Sequence, residues 1–315
     1  MYIGVDIGGT NLVAGLVNDD CQIIEKLKTP TKPQRGAEEV LADVARLCHE
    51  LAAKAGIGMD EVKWVGVGSP GSIDAENGVF VFAGNLPFRN TPVVKILGES
   101  IGRPIYVGND ANAAALGEVY AGAAKDCDSA LLFTLGTGLG GGIVINRRIY
   151  SGFNGDGGEV GHMVVEVDGC PCTCGRNGCW EAYSSATGLI RMTREAMESD
   201  KKSLLYAAAA EEGKVSARTA FVAARKGDPS ARAVVDKYIK YLAAGLANMI
   251  NVFQPEMVCI GGGVCNEGDY LMLPLIEQTR KEQFKGSPKQ TLIRVAELGN
   301  DAGVIGAAML GKQSC

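Results

Sequence analysis

Residues 2–29 read YIGVDIGGTNLVAGLVNDDCQIIEKLKT, and their pattern decides the fold. An apolar run from Tyr2 to Ile7 breaks at Gly8-Gly9, resumes to Val17, breaks again at Asn18-Asp19-Asp20, and resumes at Ile23. Short apolar runs cut by turn residues predict three strands, with a glycine turn between the first two. Residues 130–152, ALLFTLGTGLGGGIVINRRIYSG, repeat the plan: strand, Gly-Thr turn, strand, short polar turn, strand. A second pair follows, WVGVGSPGS (64–72) and MVCIGGGVC (257–265), each a strand running into a glycine-rich turn. A third pair is IYVGNDANAAAL (105–116) and VAELGNDAGVIGAAML (295–310), each a strand, then Gly-Asn-Asp-Ala, then a helix of small residues. Matched pairs in one order predict two similar α/β halves, each a mixed sheet covered by helices.

Helices fit between these strands. Val40, Leu41, Val44, Leu47 and Leu51 recur at helical spacing within 37–55, and 231–251 does likewise before Pro255. The reading assigns a first domain to 1–118 plus 300–315 and a second to 119–299, with a compact hinge near Glu118. The chain has 315 residues, long enough for two domains. With 46% apolar and 21% charged residues its composition is ordinary for a globular protein. A formal charge of −5 gives no electrostatic reason to expect nucleic acid as a partner. Met1 leads straight into a strand with no basic or apolar leader, and no run is apolar enough to span a membrane. A cytoplasmic protein is therefore expected, with its ten cysteines reduced.

The glycine turns predict phosphate contacts. Asp6-Ile7-Gly8-Gly9-Thr10-Asn11 and Gly136-Thr137-Gly138-Leu139-Gly140 each set glycines and a hydroxyl at a strand end. There, backbone N–H groups can face phosphate oxygens. Asp6 suits a magnesium ion held through water. A lone turn of this kind reads as a plain hairpin; the repetition is what argues otherwise. Neither is a P-loop, since no Gly-Lys-Ser/Thr follows, and a second strand rather than a helix comes next. Gly261-Gly262-Gly263 is a third candidate, for adenosine packing on backbone, or else a plain strand-to-helix turn.

His162, Cys172, Cys174 and Cys179 form a set of one imidazole and three thiols that suits tetrahedral, structural zinc. The competing reading is a buried thiol cluster or a labile disulfide; a histidine nearby in a reducing compartment favours the metal. Cys170 is read as a spectator, with substitution for one of the other ligands left open. Cys21, Cys48, Cys127, Cys259, Cys265 and Cys315 are read as small hydrophobes or incidental thiols.

Taken together, DIGGTN (6–11), VGND (107–110), LGTGLGGG (135–142), GGEVGH (157–162) and CTCGRNGCWE (172–181) resemble the ROK family of sugar kinases, over essentially the whole chain. The resemblance implies an actin/hexokinase-like (ribonuclease H-like) duplicated ATPase fold, with two domains around a cleft. It implies ATP with Mg2+ as phosphate donor, Asp110 as general base, and sugar contacts from Asn109, Asp110, Glu159, His162 and Glu181. Gly71 and Asn85 are further sugar candidates. His162 is then expected to bind zinc through one ring nitrogen and reach a sugar hydroxyl with the other. The alternative for Asp110 is a helix N-cap, since aspartate favours that position; its counterpart Asp301 is expected to be such a cap.

Gly158, in the position before Glu159, and the run WEAYSSATG after the zinc loop lean toward glucose. Asp156, a carboxylate so near the sugar loop, stands apart from the pattern. An N-acetylglucosamine or N-acetylmannosamine kinase is the alternative, sharing nearly all these residues. A sugar-sensing repressor is disfavoured because no helix-turn-helix precedes the first glycine turn. The family also implies a homodimer or homotetramer.

Overall fold

The computed structural model describes residues 1–313, so Cys315 lies outside the described residues. Its strands are β1 Tyr2–Ile7, β2 Asn11–Val17, β3 Ile23–Pro30, β4 Val65–Ser69, β5 Ser72–Asp74, β6 Val79–Phe82, β7 Arg89–Thr91, β8 Ile105–Asn109, β9 Ala130–Leu135, β10 Leu139–Ile145, β11 Arg148–Ile149, β12 Met257–Gly261 and β13 Leu292–Val295. The α-helices are α1 Ala37–Lys54, α2 Val93–Ile101, α3 Asp110–Ala121, α4 Trp180–Ser184, α5 Ala186–Ser199, α6 Leu205–Glu211, α7 Thr219–Arg225, α8 Pro229–Phe253, α9 Asp269–Glu282 and α10 Ala302–Met309.

Two five-stranded sheets share one order. The first runs β3-β2-β1-β4-β8 and the second β11-β10-β9-β12-β13. Counting along each half, both are third, second, first, fourth, fifth, which is the duplication expected from the three sequence pairs. A small sheet, β5-β6-β7, is inserted between β4 and β8.

The chain packs as two compact units. Among the described residues, the first comprises 1–132, 142–158 and 296–313, and the second 133–141 and 159–295. The first crossing thus falls at 132–133, beyond the one expected near Glu118. Glu118 lies inside α3 and is buried.

In the first unit, β1 and β2 are antiparallel, whereas β1, β4 and β8 are parallel. Side chains alternate across β1 as a pleated strand requires. Ile3, Val5 and Ile7 enter one core with Val40, Leu41 and Val44 of α1. Tyr2 enters another with Ala113 and Leu116 of α3 and with Ile305 of α10. α10 lies so close to the sheet that a Cβ on Gly4 would stand 1.9 Å from the Val304 carbonyl oxygen, and one on Gly66 1.8 Å from that of Ala307. Only hydrogen fits there.

In the second unit, Trp180 is wholly buried against α8. Its indole N–H donates to the Tyr241 carbonyl at 3.0 Å, and its ring meets Phe133 edge-on, 5.2 Å between centroids. Cys21, Cys48, Cys127, Cys259 and Cys265 are buried. Among the described residues, no helix is long and apolar enough to cross a membrane.

Candidate active site

Parallel pairing decides which residues meet in the first unit. Asp6 registers with Gly68, and Ser69 with Asn109, so the C-terminal ends of β1, β4 and β8 lie side by side. Asn109 caps α3: with φ −66° and ψ 146°, its Oδ1 accepts the N–H groups of Ala111 and Asn112 at 2.9 and 3.2 Å. Its Nδ2 donates to the Gly71 carbonyl at 3.2 Å. Asp110 is therefore the first helical residue and not the cap, although its Oδ1 accepts the Ala111 N–H at 2.8 Å.

Burial raises the pKa of Asp110. Asp6 is pushed up to about 6, first by burial and then by the nearby charge of Asp110. The Gly8–Asn11 turn closes the β1–β2 hairpin through the Gly8 N–H donating to the Asn11 carbonyl at 2.9 Å. Asn85 sits beside it, its Nδ2 only 2.8 Å from where a Cβ on Gly9 would be. Gly71 has φ +103°, a conformation open to glycine. Asp156 accepts a hydrogen bond from the Ser72 hydroxyl at 2.6 Å, which ties its loop to β5.

Asp301 corrects its expectation. It caps α10 in position only, with no side-chain bond to the helix, and its carboxylate pairs with Lys26 at 2.5 Å. A capping side chain needs extended backbone at its own residue. Asp301 ends a 3-10 turn at φ −91°, ψ −11° and cannot cap in that conformation.

The second unit holds the other turn. The Gly136 N–H donates to the Gly138 carbonyl at 3.0 Å. Glu181, on α4, reaches this turn: its Oε2 accepts the Leu139 N–H at 2.9 Å and would lie 2.3 Å from a Cβ on Gly138. Its Oε1 accepts from the Thr173 hydroxyl of the cysteine loop at 3.4 Å. Gly140 lies in β10 just past the turn. Gly262, at φ +94°, lies against β9, where a Cβ would be 2.5 Å from the Leu135 carbonyl oxygen. Gly261 ends β12, and Gly263 starts a 3-10 helix.

His162, Cys172, Cys174 and Cys179 bring their ligand atoms within 4.8 Å of one another. Cys172 Sγ is 3.6 Å from His162 Nδ1, and Cys174 Sγ is 3.6 Å from Cys179 Sγ. Sulfur atoms about 3.8 Å apart are what Zn–S bonds of about 2.3 Å give in a tetrahedron, so this donor set fits zinc. Nδ1 faces the thiols, while Nε2 stands 3.9 Å from a Glu159 oxygen. Cys170 is outside the cluster; its N–H donates to the Tyr183 hydroxyl at 2.7 Å. Gly178 turns the loop at φ +78°, where a Cβ would strike the Glu166 carbonyl at 1.7 Å.

Two threonines escaped the sequence reading. The Thr31 hydroxyl donates to the Gly8 carbonyl at 2.6 Å, and the Thr187 hydroxyl to the Thr137 carbonyl at 2.7 Å. Thr31 stands in no motif, and Thr187 lies in the run WEAYSSATG, which reads for sugar preference and not for this contact.

Two sheets of identical order, each opening on a strand, a glycine turn and a second strand, define a duplicated α/β phosphotransfer fold of the actin/hexokinase type. The ROK family model matches residues 2–314, and the chain belongs to the ROK family. It is 39% identical over 312 residues to a glucokinase of Thermotoga maritima, covering 99% of this chain and 97% of that one. Among solved structures, the ROK hexokinase of Thermus thermophilus matches with a TM-score of 0.84 at 34% identity, covering 98% of this chain and 97% of that one. A ROK glucokinase of Streptomyces griseus, in complex with glucose and AMPPNP, matches with a TM-score of 0.79 at 34% identity and 99% coverage of both chains.

Proposed function

We propose that this protein is an ATP-dependent hexose kinase whose substrate is glucose, phosphorylated at its 6-hydroxyl. The observation that carries the reading is the division of labour at the start of α3. Asn109 caps the helix, so Asp110 is not needed as the cap and can serve as base. Relatives named glucokinase, at 39 and 38% identity over nearly the whole chain, support glucose.

In this reading the Asp110 carboxylate accepts the proton of the 6-hydroxyl as its oxygen attacks the γ-phosphorus of Mg-ATP, and ADP departs. Burial raises the basicity of Asp110 and so favours that transfer. In the second unit Glu159, His162 and Glu181 offer polar atoms suited to sugar hydroxyls; in the first, Asn109, Gly71 and Asn85 are the sugar candidates. The turns at Gly8–Asn11 and Gly136–Gly140 present backbone N–H groups and the Thr10 and Thr137 hydroxyls to phosphates; Asp6 serves the magnesium of the nucleotide. Gly261–Gly263 flank the adenosine.

Zinc would be held by His162 Nδ1 and the thiolates of Cys172, Cys174 and Cys179. With four protein ligands its contribution when bound is to cross-link the loop, not to activate water. Ligation through Nδ1 would also fix the imidazole tautomer, so that Nε2 could donate to a sugar hydroxyl.

The test is ADP release with Mg-ATP against glucose, mannose, fructose, N-acetylglucosamine and N-acetylmannosamine, run on the native chain and on Asp110→Asn. Glucose turnover that falls by about 10²–10⁴ in the variant, with glucose binding retained, is the expected result. Preference for an N-acetyl sugar would move the substrate while keeping the base. Near-native turnover in Asp110→Asn would remove the base.

A further inference from the structure

Both glycine turns are braced from behind in the same chemical way, by parts of the chain that the duplication does not relate. In the first turn, the Gly8 carbonyl accepts the Thr31 hydroxyl at 2.6 Å, and the Thr10 carbonyl accepts the Thr31 N–H at 3.0 Å. In the second, the Gly136 carbonyl accepts the Ala186 N–H at 2.9 Å, and the Thr137 carbonyl accepts the Thr187 hydroxyl at 2.7 Å. Each turn therefore has two carbonyls held by one backbone N–H and one threonine hydroxyl. Thr31 follows β3, whereas Thr187 lies in the first turn of α5.

The consequence follows from peptide geometry. In a planar trans peptide the C=O and N–H point in opposite directions. Holding the Gly8 carbonyl fixes the direction of the Gly9 N–H. Holding the carbonyls of Gly136 and Thr137 likewise fixes the N–H groups of Thr137 and Gly138, facing away from α5. Glycine-rich turns are otherwise free to rotate these peptides, and a peptide that flips presents its carbonyl, which repels a phosphate.

We infer that Thr31 and Thr187 are positioning residues that lock the two turns with their N–H groups toward the phosphates of the nucleotide. The inference rests on the kinase reading above and adds two residues that act through the turns they hold. It predicts an effect confined to the nucleotide.

Thr187 is exposed, so Thr187→Val leaves the core untouched and carries the decision. Thr31 is fully buried, and Thr31→Val is the companion variant. Loss of one such hydrogen bond is expected to raise the KM for Mg-ATP, and the dissociation constant for AMPPNP titrated without sugar, by roughly fivefold. The KM for the sugar should stay within about twofold, and Thr187→Ser should restore native nucleotide affinity. An unchanged AMPPNP affinity in Thr187→Val, or an equal rise in the KM of sugar and nucleotide, would overturn the inference. Should the native chain turn over no hexose at all, the kinase reading fails separately, and the AMPPNP titration still decides the role of the threonines.

Discussion

Asp6, in β1, and Asp110, the first residue of α3 after β8, interact electrostatically although β4 runs between their strands, and Asp6 is perturbed first by burial and then by that charge. Its pKa of about 6 stands above the ordinary 3.8 because burial disfavours the charge and Asp110 adds repulsion. Between about pH 4 and pH 6 the folded chain then holds a proton on Asp6 that the unfolded chain has lost. Stability therefore falls as pH rises through that window, and the penalty is fully present above it. Asp6→Asn should raise stability at pH 8 by about 2 kcal/mol and flatten the dependence of Tm on pH between 4 and 6. The same variant should lose turnover with Mg-ATP. Identical Tm profiles in the two proteins would show that Asp6 does not carry this penalty. The sequence marked both carboxylates as candidates and offered the cap as the alternative role of Asp110, without considering Asn109 for it. Both residue types favour that position, and only the extended backbone at Asn109 settles it.

At the scale of the element, the cysteine loop and α4 form one working piece. Cys179 is followed directly by Trp180, whose burial on α8 anchors the chain, and then by Glu181, which reaches the second glycine turn. Loop geometry is set by Gly178 and by the Val165 N–H, which donates to the Gly178 carbonyl at 2.9 Å. Cys172→Ser should lower zinc content in the purified protein and weaken sugar affinity by at least about tenfold. The effect would pass through His162, because Cys172 Sγ is the thiol beside its Nδ1. A zinc-free variant that binds sugar as tightly as the native chain would defeat this account. The grouping of His162, Cys172, Cys174 and Cys179 was legible from spacing and residue type. The link from Glu181 to Leu139 was not, since 42 residues separate the two and no local pattern records their contact.

On the scale of the whole molecule, the duplicated order of the sheets is the organising fact, and the first unit is closed by the end of the chain. Glu118, inside α3, accepts the N–H groups of Ala123, Glu297 and Leu298 at 2.8, 3.2 and 2.9 Å. It so ties the segment entering α10 to α3. A Cβ on Gly306 of α10 would stand 1.6 Å from the Ala113 carbonyl oxygen. Glu118→Gln places an amide where carboxylate oxygens receive donors, and should cost roughly 2–3 kcal/mol of stability, read from denaturant unfolding. Turnover per folded molecule should be unchanged, because Glu118 touches none of the proposed catalytic groups. A native unfolding midpoint would show that these bonds are replaceable.

The sequence by itself determined the strands, their glycine turns, the internal repeat and the candidate set of metal-binding side chains, because each is written in local spacing: apolar runs, turn residues, thiols a few positions apart. Tertiary structure alone decided what each polar group does once the chain closes. It made Asn109 the cap, turned Asp301 to Lys26, buried Glu118 under the final helix, and set Thr31 and Thr187 behind the two turns. Those roles depend on donors and acceptors that are remote or conformationally selected. A hydrogen bond is fixed by position in space, and that position exists only after the sheets and helices have packed.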